Sequence, residues 1–177
     1  MVAVAWQDAE ELAAHLSTDK VRYSLPTEAQ WEKAARGGLI SQPYSWGAEP
    51  PDPERCDFDH FGDFTLGDPR AFPANGYGLH GMCGGVWEWT ADWYDALAYH
   101  HRISQGHRDD SPGRRAAESE SETLQRVLRG GSFTDCAAAV TVSFRMSRSS
   151  TSWRSAAWSQ SICPNIGFRL CRVEATR

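Results

Sequence analysis

The chain has 177 residues, of which 41% are hydrophobic, 23% charged and 11% aromatic, enough for one domain with a sizeable core. Its formal net charge of −5 argues against a nucleic-acid or anionic-membrane partner, since those surfaces select concentrated Lys and Arg. No window approaches the roughly 20 apolar residues of a spanning helix and no secretory leader pattern opens the chain, so a cytoplasmic protein without membrane contact is expected.

Trp6, Ala9, Leu12, Ala13 and Leu16 recur at helical spacing, with Asp8, Glu10 and Glu11 in the first turns, where carboxylates complement the helix dipole. This predicts a helix over about 7–17. Val21 to Ser24 reads as extended. Thr27 is then placed to cap a second helix, with Gln30 closing a capping box, and that helix runs through Trp31, Ala34 and Ala35 to Gly37-Gly38.

From Gly38 to Gly78 the chain is rich in proline, glycine and aromatic residues and shows little periodicity. It predicts an ordered loop held by packing of Tyr44, Trp46, Phe58, Phe61, Phe64 and Phe72, because each large side chain that packs contributes roughly 1.5–3 kcal/mol. Val86 to Thr90 alternates with strand-favouring types and predicts a central strand. About residues 100–123 the sequence is polar and carries Glu118, Glu120 and Glu122; burial cannot offset its ordering entropy, and a mobile surface insertion is expected. Arg126 to Leu128, Val140 to Met146 and Ile166 to Cys171 are strand-like. The five cysteines, Cys56, Cys83, Cys136, Cys163 and Cys171, are odd in number and contain no CxxC, so they read as buried free thiols rather than a disulfide or zinc framework.

Four blocks carry a resemblance: Leu25 through Gly38; Asn75 through Leu79 with Gly84 through Thr90; Arg126 through Phe133; and Asn165 through Arg169. In this order they resemble the formylglycine-generating enzyme (sulfatase-modifying factor) family. The resemblance implies one α+β domain across 1–177 with a C-type-lectin-like fold: low regular structure, two helices and small twisted antiparallel sheets. Arg129 and Arg169, each beside apolar residues, are suited to satisfying loop carbonyls with a five-donor fork.

Two functional readings follow from the resemblance. Members that make formylglycine use two cysteines shortly after the Arg-Gly-Gly-Ser block to bind Cu(I) and oxidise a substrate cysteine with oxygen, and soft thiolates suit that ion. Here Cys136 is present, but Val140 or a neighbour stands where a second thiol is expected, leaving only Cys163 or Cys171 to fold back. The sequence therefore argues against copper. Cys136 is catalytic only if the chain is an oxygen-dependent oxidoreductase. The resemblance also implies a calcium site: Glu88 and the carbonyls of Gly84 and Val86 map onto it, while Gly81 replaces an Asp or Asn ligand. Either calcium binds more weakly there or Glu88 makes hydrogen bonds instead. Family enzymes further carry a substantial N-terminal portion, whereas this sequence begins almost at the first helix.

The second reading is a binding module. The same blocks resemble the variable proteins of diversity-generating retroelements, in which residues between Arg-Gly-Gly-Ser and Ile-Gly-Phe-Arg are diversified. Within 134–163 the candidate ligand-binding residues are Thr134, Asp135, Thr141, Ser143, Phe144, Ser149, Thr151, Trp153, Trp158, Ser159 and Ser161. Small hydroxyls with a few large rings make an adaptable face for a protein or small-molecule ligand. Arg145, Arg148 and Arg154 equally suit an acidic ligand or the acidic run at 118–122. Because the thiol pair is incomplete, recognition is the favoured reading and the oxidoreductase the alternative.

Overall fold

Residues 4–60, 65–104, 125–149 and 165–174 are described by a computed structural model. Helix α1 spans Trp6–Leu16 and turns Ala9 and Ala13 into the core. Strand β1 (Val21–Ser24) follows, and helix α2 spans Glu28–Arg36. Its start is set by the expected capping box: the Gln30 amide donates to Thr27 Oγ1 at 3.1 Å, and the Thr27 amide donates to Gln30 Oε1 at 3.0 Å. Gly37, at φ 56°, ends it in the left-handed conformation. After the long loop, which contains a short 3₁₀ turn at Pro69–Ala71, come β2 (Trp87–Trp93), α3 (Ala98–Ser104), β3 (Gln125–Arg129), β4 (Met146–Ser149), β5 (Ile166–Phe168) and β6 (Cys171–Glu174).

The strands form a four-stranded sheet in the order β4-β3-β2-β5 and a separate pair, β1 with β6. Strand β2 lies antiparallel to β3, with Glu88 opposite Arg129, and parallel to β5, with Glu88 opposite Gly167. Register thus brings Glu88, Arg129 and the Gly-Phe-Arg block side by side. One core cluster gathers Trp87, Trp89, Leu128, Ile166, Leu25 and Ala9; a second gathers Trp31, Ala35, Met82, Cys83 and Val142. Helix α1 is clamped by two indoles: Trp89 donates to the Val4 carbonyl and Trp6 to the Thr90 carbonyl, both at 2.8 Å. Between Trp6 and Trp93 lies the guanidinium of Arg126, 3.7 and 3.4 Å from the two ring centroids. Burial pushes this group down to about 10, which leaves it charged at neutral pH, as a cation between two rings requires.

Two expectations are revised, and a third, the mobile insertion at about 100–123, falls mostly outside the described residues. The polar stretch beginning near residue 100 opens as helix α3, in which His101 Nδ1 lies 2.9 Å from an Asp95 carboxylate oxygen; residues 105–124 lie outside the described set. Residues 140–145 are turns and bends rather than strand, because their amides are claimed elsewhere: Ala139 donates to the Cys136 carbonyl, Phe144 to the Thr141 carbonyl and Val142 to the distant Pro43 carbonyl, while Val140 and Val142 enter the core singly. The last predicted strand is two, in different sheets. It breaks at Arg169, whose side chain turns inward to Glu88.

Among the ring residues of the long loop, Tyr44 and Trp46 stack at 5.0 Å, and Phe61 and Phe64 lie outside the described residues. Among the described residues no helix is long and apolar enough to cross a membrane.

Candidate functional site

The turn after Gly131 is built on a carboxylate. Asp135 Oδ2 accepts the Trp87 indole at 2.8 Å, the Ser132 amide at 3.0 Å and the Ser132 hydroxyl. Asn165 Nδ2 donates to the hydroxyls of Ser132 and Thr134 at 2.9 and 3.1 Å, which ties the turn to the start of β5. From the other side, the Asp59 and His60 amides donate to the carbonyls of Asp135 and Phe133. His60 is held in turn by buried Asp57, 3.1 Å from its Nε2. Three donors on one oxygen fix Asp135 as a structural post, and its neighbour Thr134 is half-buried against the same cluster.

Cys136 follows on the surface and is exposed. Of the other described thiols, Cys56 and Cys83 are both buried: burial first, then the neighbouring Cys83, whose thiolate would repel a second one, pushes Cys56 up to about 12, and burial raises Cys83. Such thiols stay protonated and inert. Cys171 is half-buried on β6, in the two-stranded sheet, and Cys163 lies outside the described residues. Val140, where a second thiol was expected, is fully buried in the core.

Beyond that turn, two arginines anchor the segment that leads into β4. Arg129, fully buried, donates from one guanidinium nitrogen to the carbonyls of Ser143 and Phe144 at 2.8 and 3.0 Å and from the other to Glu32. Arg145 grips buried Glu28 through Nε at 2.5 Å and a terminal nitrogen at 2.9 Å, donates to the Asp95 carbonyl, and lies over the rings of Tyr94 and Tyr99. Arg145 is therefore spent on α2 and is not offered to an acidic ligand. Ser143 is exposed, Thr141 half-buried, and Phe144 is 41% exposed with its ring 5.9 Å from that of Trp87. Ser149 ends β4, half-buried, and Arg148 beside it is exposed. Thr151, Trp153, Arg154, Trp158, Ser159 and Ser161 lie outside the described residues.

The residues mapped to calcium line a cavity of about 280 Å³ with Asp57, Phe72 and Arg169. Glu88 is buried, and both its oxygens are taken: Oε1 accepts Arg169 Nε at 2.6 Å and Oε2 accepts the Trp31 indole at 2.8 Å. Arg169 also donates to the carbonyls of His80 and Gly81 at 2.8 and 3.0 Å. Burial raises the Glu88 carboxyl, and Arg169 with the Trp31 indole partly reverses the shift. A side-chain cation thus stands where Gly81 leaves a ligand missing, and the residues present do not fit a calcium ion, which needs six to eight oxygens free to turn toward it. Saturating calcium followed by a chelator is expected to move the melting temperature by less than about 2 °C, since only a bound ligand stabilises; a larger, reversible rise would restore the ion to this loop.

The carboxylate partners Glu28 and Glu32 were not singled out in the sequence. A signal exists: a buried glutamate at the start of a helix, four residues before a second on the same stripe, calls for basic partners.

Residues 1–174 match the Sulfatase-modifying factor enzyme 1-like domain. A formylglycine-generating enzyme of Thermomonospora curvata is 39% identical over 147 residues, covering 75% of this chain and 44% of the relative. An inactive C-alpha-formylglycine-generating enzyme 2 of Bos taurus is 39% identical over 118 residues, 60% of this chain and 37% of the relative. Among solved structures, Treponema denticola variable protein 1 superposes with a TM-score of 0.64 at 27% identity, over 90% of this chain and 50% of that one. The chain spans less than half the length of both curated relatives.

Proposed function

The chain belongs to the sulfatase-modifying factor family and has its α+β, C-type-lectin-like fold, and on that basis we propose that it is a ligand- or protein-binding domain whose face lies within 134–163. One observation carries this reading. Cys136 sits on an exposed turn whose other positions are a spent carboxylate, three alanines and a buried valine, so the turn itself supplies one soft ligand where Cu(I) redox chemistry asks for two.

What the turn does supply is a rigid frame. Asp135 and Arg145 are the fixed posts; Thr134 stands next to the first and Ser143 and Phe144 just before the second, at the surface or half-buried. A face held in place before its ligand arrives loses less entropy on binding. The likeness to a variable protein of Treponema denticola and to a relative described as inactive supports recognition without oxidation.

The test has two arms. Titration with Cu(I) is expected to show no stoichiometric uptake, and oxygen consumption with a cysteine-containing peptide is expected to be the same in wild type and Cys136→Ser. Turnover lost in Cys136→Ser would make the chain an oxidase. Sequencing the gene from related isolates is expected to show differences gathered at surface positions of 134–163, sparing Asp135, Val140, Val142 and Arg145. Differences spread evenly over the chain would remove the diversified face.

A further inference from the structure

A second feature lies apart from that face, along the outer side of α2. Ala29, Glu32, Lys33 and Arg36 recur at i, i+3, i+4 and i+7, which puts them on one stripe, and this stripe floors an open groove of about 470 Å³. Tyr99 walls one end and Tyr77 with Leu39 the other. Both tyrosines are about half exposed. Apolar surface continues past each end: Ile103, 82% exposed, follows Tyr99 by four residues on α3, and Ile40, 85% exposed, follows Leu39.

The charges of the floor are not equivalent. Glu32 Oε1 accepts from Arg36 at 3.0 and 2.7 Å, its Oε2 is paired with buried Arg129, and Arg36 also donates to the Gln42 carbonyl at 3.0 Å. Lys33 is exposed and has no ion-pair partner among the described residues. Midway between two apolar ends, the groove therefore presents one ammonium that no described carboxylate compensates.

We infer that this groove docks an amphipathic segment of a partner protein that carries a carboxylate between two apolar anchors. The stripe from Ala29 to Arg36 rises about 10 Å, the distance between residues seven apart on a helix laid alongside it. An open trough flanked by exposed isoleucines suits a chain segment running past both ends, whereas a small molecule needs walls that enclose it. This surface does not depend on the 134–163 reading.

The experiment measures fluorescence anisotropy of the full chain with two labelled synthetic helical peptides, each with leucines seven residues apart and either Glu or Lys between them. Wild type is expected to prefer the Glu peptide. Lys33→Glu is expected to weaken that peptide about tenfold and to turn the preference to the Lys peptide, because a favourable charge becomes a repulsive one. Tyr77→Ala should weaken both, and Lys33→Gln, which removes charge with little demand on the fold, should abolish the preference. Equal binding of the two peptides by wild type, or an unchanged preference in folded Lys33→Glu or Lys33→Gln, would overturn the proposal. So would concentration-dependent dimerisation lost in Tyr77→Ala, which would assign the groove to a second copy.

Discussion

Replacing Arg129 with methionine is expected to lower stability by about 3–5 kcal/mol and the melting temperature by roughly 10 °C. Methionine keeps the length of the apolar stem beside Trp31, so packing changes little. What is lost is the cation. Arg129 is fully buried and sits opposite Glu88 in the sheet, with Glu32 on one guanidinium nitrogen and, on the other, the carbonyls of Ser143 and Phe144, with Glu28 Oε1 at 3.6 Å. Without it, the Ser143 and Phe144 carbonyls lose their donor and the segment entering β4 loses one of its two anchors. Adding Glu32→Gln to Arg129→Met is expected to recover little, since Glu32 keeps its ion pair with Arg36 and is not left unpaired. A melt of Arg129→Met within about 1 °C of wild type would mean that these carbonyls find water and that Arg145 alone holds the segment.

The second large effect separates two adjacent glycines with nearly the same backbone. Gly84 and Gly85 have φ of 78° and 73°, so any side chain at either position meets the same left-handed penalty of about 1–2 kcal/mol. Their surroundings differ. A Cβ at Gly84 would strike the carbonyl oxygen of Asp57 and lie 3.1 Å from its carbon, while a Cβ at Gly85 meets nothing within 4 Å. The obstacle is backbone and is itself fixed, because the Gly85 amide donates to that same carbonyl at 2.8 Å.

Gly84→Ala is therefore expected to cost at least about 3 kcal/mol, adding overpacking to the backbone term, and Gly85→Ala only the backbone term. Urea unfolding of both variants measures the difference directly. Equal midpoints would show that the Asp57 segment can yield.

Much of this architecture could be read in the sequence wherever a local rule and the tertiary fold agree. Thr27, Gln30 and Gly37 mark both ends of α2 by capping chemistry alone, and the alternation at Trp87-Glu88-Trp89 locates β2 because both indoles enter one core. Arg129 and Arg169 were expected to satisfy carbonyls, and both do. The failures lie where distant partners decide. Val140 to Met146 has strand composition, but the Val142 amide is claimed by the Pro43 carbonyl, roughly a hundred residues away in sequence. The break at Arg169 depends on Glu88, and the binding role foreseen for Arg145 is cancelled by Glu28. Ion pairs between such separated positions leave no periodic trace, so spacing could not reveal them.

The pairing of β5 beside β2 sets the order in which the chain can complete itself during synthesis. A nascent chain that has released β2 still lacks the strand running parallel to it, and at about 5–20 residues per second it waits several seconds before Ile166 emerges. Throughout that wait the Trp87 and Trp89 segment has an open hydrogen-bonding edge and two large indoles in search of cover. Strand β1 waits longer still, for Cys171–Glu174. Closure this remote in sequence makes collapse slow, and it places the hazard of self-association on the ribosome-bound intermediate rather than on the finished domain.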